Sequence, residues 1–129
     1  MGMYTEFHFN VNLNKDVPQE VVDVLAYMVR EDYTTPRPPT PEHKLFKTHR
    51  WEVMLLMDSY YFAADTYSTL RSDDIGGDLY LCIRCNLKNY DQEIELFVDW
   101  IRPYIHAEEG DFLGFSRYEE SEDPELIRK

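Results

Sequence analysis

The sequence is poor in glycine, and the few glycines exclude several classes of nucleotide-binding enzyme. Its five glycines stand at positions 2, 76, 77, 110 and 114. No Walker or dinucleotide-binding pattern is formed, so the chain lacks a loop that would cradle a phosphate. The G-x-S-x-G, H-E-x-x-H and EF-hand motifs are also missing. We therefore expect no cofactor, and nothing in the sequence argues for an enzyme.

Long hydrophobic runs are missing as well. No apolar stretch approaches the roughly 18 to 20 residues that a membrane helix requires. The first residues, Met-Gly-Met-Tyr-Thr-Glu, lack the basic and apolar regions of a secretory signal. The sequence thus predicts a cytoplasmic protein without membrane contact. Its 129 residues suit a single domain, residues 1–129.

Basic residues are scarce compared with acidic ones. Thirteen Lys and Arg stand against 25 Asp and Glu, which leaves a net charge of −12. Such a charge repels nucleic-acid phosphates, so direct binding of nucleic acid is disfavoured. A hydrophobic content of 43% nevertheless predicts a folded chain.

The two cysteines, Cys82 and Cys85, form a C-x-x-C spacing. They lie inside the strand-like run Leu79–Leu87, where residues three apart point to opposite faces. Neither a shared metal nor a local disulfide suits that geometry. We expect two reduced cysteines and no metal site.

The first half of the chain predicts a strand followed by a helix. Apolar and polar residues alternate over Tyr4–Leu13, which indicates a half-buried strand. Asp16 is the expected N-cap of a helix that has Pro18 in its first turn and runs to about Arg30. The predicted apolar face of this helix consists of Val22, Leu25, Ala26 and Val29.

A proline-rich loop and a hairpin follow. Residues 34–41 contain four prolines and predict a stiff surface loop. The stretch Glu42–Met57 mixes signals and receives no assignment. Tyr60–Leu70 and Leu79–Leu87 are rich in strand-forming residues, and Ser72–Asp78 between them has turn chemistry. This region predicts a β-hairpin.

The second half predicts one more helix and one more strand. Asp91 is the expected N-cap of the helix, and Pro103 should kink or end it. Phe112–Tyr118 is the final predicted strand, and residues 119–129 form an acidic tail. The apolar stripe of the helix consists of Ile94, Phe97, Val98, Ile101 and Ile105.

This order of elements predicts an α+β fold with the ferredoxin-like, split β-α-β arrangement β-α-β-β-α-β. In that arrangement two helices cover one face of a four-stranded antiparallel sheet. Strands one and three lie in the centre and leave the other face open. The residues predicted on the open face are Tyr4, Glu6, His8, Tyr80, Cys82 and Arg84.

The open face is the candidate binding surface, with Tyr4, Glu6, His8, Tyr80 and Arg84 as its residues. A carboxylate beside an imidazole raises its pKa, and an arginine orients an anion. His8 as proton carrier and Arg84 as anion clamp would thus suit a small-molecule enzyme. The alternative is an ordinary polar sheet face, solvated or covered in a dimer.

Two other surfaces leave alternatives open. Aromatic residues of the predicted strand would serve either an interface or core packing: Tyr60, Tyr61, Phe62 and Tyr67. The basic residues Lys44, Lys47 and Arg50 would either dock a phosphate or acidic partner, or pair with the acidic surplus of the chain itself.

The acidic tail carries Glu119, Glu120, Glu122 and Asp123. Such a run can imitate a phosphate backbone and occupy the groove of a nucleic-acid-binding protein. It can equally be a solvated end that keeps a small protein soluble.

Several segments resemble small uncharacterised proteins of bacteriophages and prophages. They are Met3–Phe7, Gly114–Glu120 with Asp123-Pro124, and Leu87–Tyr90 followed by Ile94, Phe97, Trp100, Ile101, Pro103 and Tyr104. The resemblance implies expression in a bacterial cytoplasm, from a mobile element. It implies no activity, cofactor or catalytic residue.

The leading hypothesis is a non-enzymatic protein-binding or self-assembly module, with a homodimer or another protein as partner. The aromatic strands, the open face and the missing catalytic motifs support it. An acidic mimic of nucleic acid that inhibits a host protein is the first alternative, and a small-molecule enzyme on the open face is the second.

Overall fold

The strands of the protein form one antiparallel sheet in a computed structural model that describes residues 3–59, 62 and 65–129. The elements are β1 (Thr5–Leu13), α1 (Gln19–Met28), β2 (Thr69–Ser72), β3 (Leu79–Leu87), α2 (Glu93–Ile101), β4 (Phe112–Tyr118) and β5 (Glu125–Arg128). The sheet order is β2-β3-β1-β4-β5. The α+β class is confirmed, but the predicted number of four strands is wrong because a fifth strand pairs with β4.

Strand β1 occupies the centre of the sheet because its alternation suits burial of one face. It pairs with β3 from Thr5↔Leu87 to Leu13↔Leu79, and with β4 from Thr5↔Tyr118 to Phe9↔Gly114. Its odd-numbered residues, including Phe7 and Phe9, are fully buried in the hydrophobic core. We call this side of the sheet the core face. The side of Glu6, His8 and Asn10 is the second face.

Helix α1 begins after Pro18, which is its extended N-cap, and not at Asp16 as predicted. Its buried residues include Val21, Val24, Leu25 and Met28, whereas Ala26 is exposed. The predicted apolar face was therefore wrong by about a third of a turn. The positions i, i+3, i+4 and i+7 that start at residue 21 carry larger side chains, and these fill the core better.

Helix α2 begins at Glu93, and the predicted cap Asp91 does not hold its first turn. The side-chain oxygen of Asn89 accepts a hydrogen bond from the Ile94 amide at 2.8 Å. Asn89 and Gln92 both have positive φ, which lets the chain turn sharply into the helix. Pro103 ends the α-helix as predicted, and a 3-10 turn, Arg102–Tyr104, follows it.

The stretch 42–57, which had no predicted assignment, fills the space between the helices. It contains two 3-10 helices, Lys44–Lys47 and Met54–Leu56, and its residues Leu45, Trp51, Met54 and Leu55 are buried. Aromatic contacts run from the sheet to α1 in the order Phe9, Phe97, Trp100, Phe46, Trp51 and Tyr27. Both helices therefore contribute to one core.

The hairpin is confirmed in its second strand but not in its first. Strand β3 has the predicted bounds Leu79–Leu87, whereas β2 covers only Thr69–Ser72. Of the predicted strand Tyr60–Leu70, residues 60, 61, 63 and 64 lie outside the described residues, and residues 65–68 are not part of a strand. Tyr67 still exchanges two backbone hydrogen bonds with Arg84.

The predicted acidic tail is part of the sheet. Residues 119–124 connect β4 to β5, and β5 pairs with β4 from Phe112↔Arg128 to Ser116↔Glu125. A bulge between Phe112 and Gly114 bends β4 at that point. None of the helices among the described residues has the length and apolar character needed to cross a membrane.

Candidate functional site

Glu6 is the centre of a small charged cluster on the second face. Its Oε2 lies 3.1 Å from His8 Nε2, and its Oε1 accepts a hydrogen bond from Arg117 Nε at 3.1 Å. Arg117 lies opposite Glu6 on β4. Sequence reasoning missed Arg117, because only the pairing of β1 with β4 brings residues 111 positions apart together.

The predicted openness of this face is wrong around Glu6. Glu6 is only 8% exposed, and the buried ring of Phe62 lies 5.2 Å from the Arg117 guanidinium. His8 is half-buried and stacks on Phe115, with ring centroids 4.6 Å apart. The carboxylate is thus enclosed by an arginine, a histidine and two aromatic rings. Such an arrangement stabilises the fold and leaves Glu6 and His8 little access to a substrate.

Arg84 does not join this cluster, although it lies opposite His8 on β3. Its Nε donates a hydrogen bond to the Asp65 carbonyl at 2.7 Å. The pairing of His8 with Arg84 as proton carrier and anion clamp is therefore not assembled. A cavity of about 390 Å³ does lie on the second face, but next to Asn10, Tyr80 and Cys82.

The two remaining candidates of the open face belong to different surroundings. Tyr80 lines the cavity beside Asn10, and the Arg71 guanidinium lies 5.2 Å from its ring. Tyr4 stands before β1, at the other end of the sheet, where Lys88 Nζ lies 5.9 Å from its ring and 5.9 Å from that of Tyr90. The five predicted residues thus do not form one site.

The cysteines occupy opposite faces of β3, as their spacing predicts. Cys85 lies opposite Phe7 on the core face, and Cys82 lies opposite Asn10 on the second face. Burial raises the pKa of the Cys85 thiol. Within residues 3–59, 62 and 65–129, no three His, Cys, Asp or Glu side chains are grouped to hold a metal ion.

A long groove lies on the core-face side, between α2 and the edge of the sheet. Two adjoining cavities of about 320 and 450 Å³ form it and share Glu95, Ser116 and Glu125 as lining residues. We call it the α2–β5 groove. Its apolar floor is Ile94, Val98 and Ile127, its acidic rim is Glu95, Asp99 and Glu125, and its tyrosine end is Tyr90 and Tyr118.

Acidic and basic side chains are equal in number among the residues that line the groove: Glu95, Asp99 and Glu125, and Lys88, Arg102 and Arg128. Asn89 donates to the Glu95 carboxylate at 3.1 Å, and His43 Nε2 lies 2.9 Å from Asp99 Oδ2. The pKa of Tyr118 is raised, first by partial burial and then by the charges of Glu120 and Glu119. Arg102 and Arg128 line the other end of the groove.

The predicted acidic residues extend this surface. Glu119, Glu120, Glu122 and Asp123 lie in the β4–β5 connection, directly beyond the tyrosine end. All of them except the half-buried Glu119 are exposed. They are therefore a loop held between two paired strands, and mimicry of nucleic acid stays a prediction.

The α2–β5 groove was not predicted because its wall did not exist in the predicted fold. Without β5, Glu125 and Ile127 would be missing from the lining. The sequence signal for the groove is the apolar pair Leu126-Ile127, which directly follows a run of acidic residues. Comparisons with protein-family models, with curated proteins and with solved structures found no match for this chain.

Proposed function

We propose that the protein is a non-enzymatic binding module, and that its α2–β5 groove holds a basic, amphipathic segment of another protein. The observation that supports this proposal is the combination in one groove of an apolar floor, a carboxylate rim and two partly exposed tyrosines. Each part has its own counterpart on such a segment. Apolar side chains would bind the floor, and lysine or arginine side chains would bind the rim.

The floor supplies the stabilising contact. Ile94 and Val98 are held in place by the core and are only 2% and 6% exposed, so the apolar contact with a ligand would come mainly from the half-buried Ile127. Tyr90 and Tyr118 remain 57% and 37% exposed. Tyrosine is enriched at protein interfaces because its ring adds apolar contact while its hydroxyl stays hydrated.

The charge of the protein selects the partner. Glu95, Asp99 and Glu125 lie on the rim beside three basic side chains, so the preference for a basic partner comes from the net charge of −12 and from the acidic connection 119–124. Long-range attraction of this kind accelerates association with a basic partner and disfavours acidic ones. It weakens with added salt because the rim charges are exposed.

We interpret the fold as a ferredoxin-like split β-α-β arrangement that is extended by β5. The order β2-β3-β1-β4 of the first four strands supports this interpretation. The extension matters for function, since β5 supplies Glu125 and Ile127 to the groove. The resemblance to phage and prophage proteins supports a bacterial cytoplasm as the place where the partner is met.

The test is a peptide-binding assay with matched charge reversals. The probe is a fluorescent peptide of about twelve residues with lysine and leucine at helical spacing, and an analogue with glutamate in place of lysine serves as its control. Glu95→Lys should weaken binding of the basic peptide up to about fivefold, since an exposed ion pair contributes up to about 1 kcal/mol.

Glu20→Lys on α1 makes the same change of charge at a residue that does not line the groove and should alter affinity little. Equal losses in the two variants would show that only the net charge matters. Equal binding of the basic and the acidic peptide would refute the proposal.

A further inference from the structure

The outer edge of β5 carries backbone groups that no described strand pairs with. β5 is the last strand in the sheet order, and β4 lies on its inner side. Lys129 faces inward, because its N–H donates to the Asp111 carbonyl at 2.9 Å and its carbonyl accepts from Gly110 at 3.1 Å. Backbone direction alternates along a strand, so Leu126 and Arg128 turn their N–H and C=O groups outward.

An edge of this kind is a template for another strand. Leu126 is 55% exposed, and Arg128 is exposed as well. The Arg128 carbonyl accepts a hydrogen bond from the Arg102 guanidinium, which leaves its second lone pair for another donor.

We propose that β5 pairs antiparallel with β5 of a second copy of this chain, across a two-fold axis at Ile127. In this register Leu126 and Arg128 of one copy exchange backbone hydrogen bonds with Arg128 and Leu126 of the other. Glu125 then lies opposite Lys129 of the second copy, on the core-face side, and symmetry forms this ion pair twice. Lys129 Nζ donates one hydrogen bond to the Arg102 carbonyl, which leaves two donors for the carboxylate. Ile127 lies opposite its own counterpart.

The alternative registers are less favourable for physical reasons. A two-fold axis perpendicular to the sheet keeps each face on its side, so paired positions must differ by an even number. An axis at Leu126 satisfies this condition but places Pro124 opposite Arg128 of the second copy. Proline has no N–H to donate, and Glu125 would then lie opposite Ile127 without a charged partner. The register at Ile127 therefore fits best.

The second face also suits this register. On this face Leu126 of one copy lies opposite Arg128 of the other. Phe115 pairs with Leu126 and Phe112 pairs with Arg128 within each copy, so these side chains form one row across the dimer contact. Phe112 and Leu126 are both more than half exposed in the single chain. The stem of Arg128 would cover both of them. One short strand pair buries little surface, so the dimer is weak.

The inference does not depend on the peptide-binding proposal, because the hydrogen bonds of the dimer come from the backbone edge of β5; Glu125 is the residue that the groove and the dimer contact share. Sedimentation equilibrium of the protein alone, without peptide, from low micromolar to about one millimolar tests it. We expect a monomer–dimer equilibrium. A strict monomer over the whole range would overturn the inference and leave the peptide-binding proposal standing.

Charge reversal tests the register. Glu125→Lys and Lys129→Glu should each raise the dissociation constant of the dimer at least about fivefold, since two attractive pairs become repulsive. The double variant should return to within about twofold of the original value. Glu20→Lys is the control for net charge, and circular dichroism checks the fold of each variant.

Two outcomes would refute this register. One is a double variant that stays as weak as the single variants. The other is a pair of single variants that dimerise like the original protein. Leu126→Pro removes an outward N–H and should abolish the dimer, and a folded Leu126→Pro variant that still dimerises would exclude pairing along this edge.

Discussion

Gly114 is the position at which a single methyl group should damage the fold most. It lies in β4 opposite Phe9, next to the bulge. A Cβ added there would stand 2.0 Å from the His8 carbonyl oxygen, 2.8 Å from Phe9 Cα and 2.9 Å from the His8 carbonyl carbon. All three neighbours are backbone atoms of the central strand, so no side chain can rotate away. Glycine is needed here because the two backbones approach closely.

The expected loss of stability follows from the backbone movement that the added methyl group requires. Overpacking of a well-packed region costs about 1–3 kcal/mol and occasionally more, and here β1 and β4 must separate by more than an ångström. We expect Gly114→Ala to lower the free energy of unfolding by about 3 kcal/mol or more. For a domain of this size the melting temperature should fall by about 10 °C or more.

Urea denaturation followed by tryptophan fluorescence measures the effect, and Gly76→Ala is the matched control. A Cβ at Gly76 would meet the Asp73 carboxylate at 2.9 Å, which is the end of a flexible side chain in a turn. That variant should lose less than about 1 kcal/mol. If Gly114→Ala were as stable as Gly76→Ala, the close approach of β4 to β1 would be refuted.

The remaining predictions concern the thiols. In the folded protein a disulfide reagent should label Cys82 rapidly, because it is partly exposed, and should label the buried Cys85 only on unfolding. Rapid labelling of Cys85 in the folded Cys82→Ser variant would contradict the register of β3. Since burial raises the pKa of Cys85 above its ordinary 9.0, the neutral thiol is favoured in the folded state. The free energy of unfolding keeps the contribution of this thiol below pH 9 and loses it as the pH rises. The loss is about 1.4 kcal/mol at pH 10. Denaturation at pH 7 and pH 10 should show this loss in the original protein and a smaller one in Cys85→Ala; identical losses would refute it.

The two proposals are compatible in geometry. A two-fold axis at Ile127 would place the α2–β5 grooves of both copies on the same side of a continuous sheet. Glu125 would then be shared between the groove rim and the dimer contact. Binding of a basic segment and dimerisation would therefore influence each other, and the sedimentation experiments are performed without peptide for that reason.

Local alternation predicted the central strands well. β1 and β3 follow the pattern of the sequence because one face is buried against the core, and β3 has the predicted bounds. The helices were predicted with shifted beginnings. Helix α1 begins after Pro18, which makes no side-chain cap, and Asn89 accepts the hydrogen bond at the start of α2 that Asp91 was expected to accept.

The edge strands were predicted poorly. β5 has four residues, two of them charged, and its strand conformation depends on hydrogen bonds from β4 rather than on its own side chains. The predicted binding surface was wrong for a related reason, because contacts with distant segments decide it. Glu6, His8 and Arg84 share a face of the sheet, but Arg117 and Phe62 cover Glu6, and both come from segments that are distant in the sequence.

The sequence by itself determined the α+β class, the central pair of strands, the opposite faces of the two cysteines and the acidic character of the surface. These properties depend on period-two alternation and on composition, which are local. Only the tertiary structure decided that Glu6 is enclosed, that residues 125–128 add an edge strand to the sheet and that α2 borders a groove. Each of these depends on contacts between residues far apart in the chain, and a hydrogen bond or an apolar contact of that kind leaves no periodic trace in either segment.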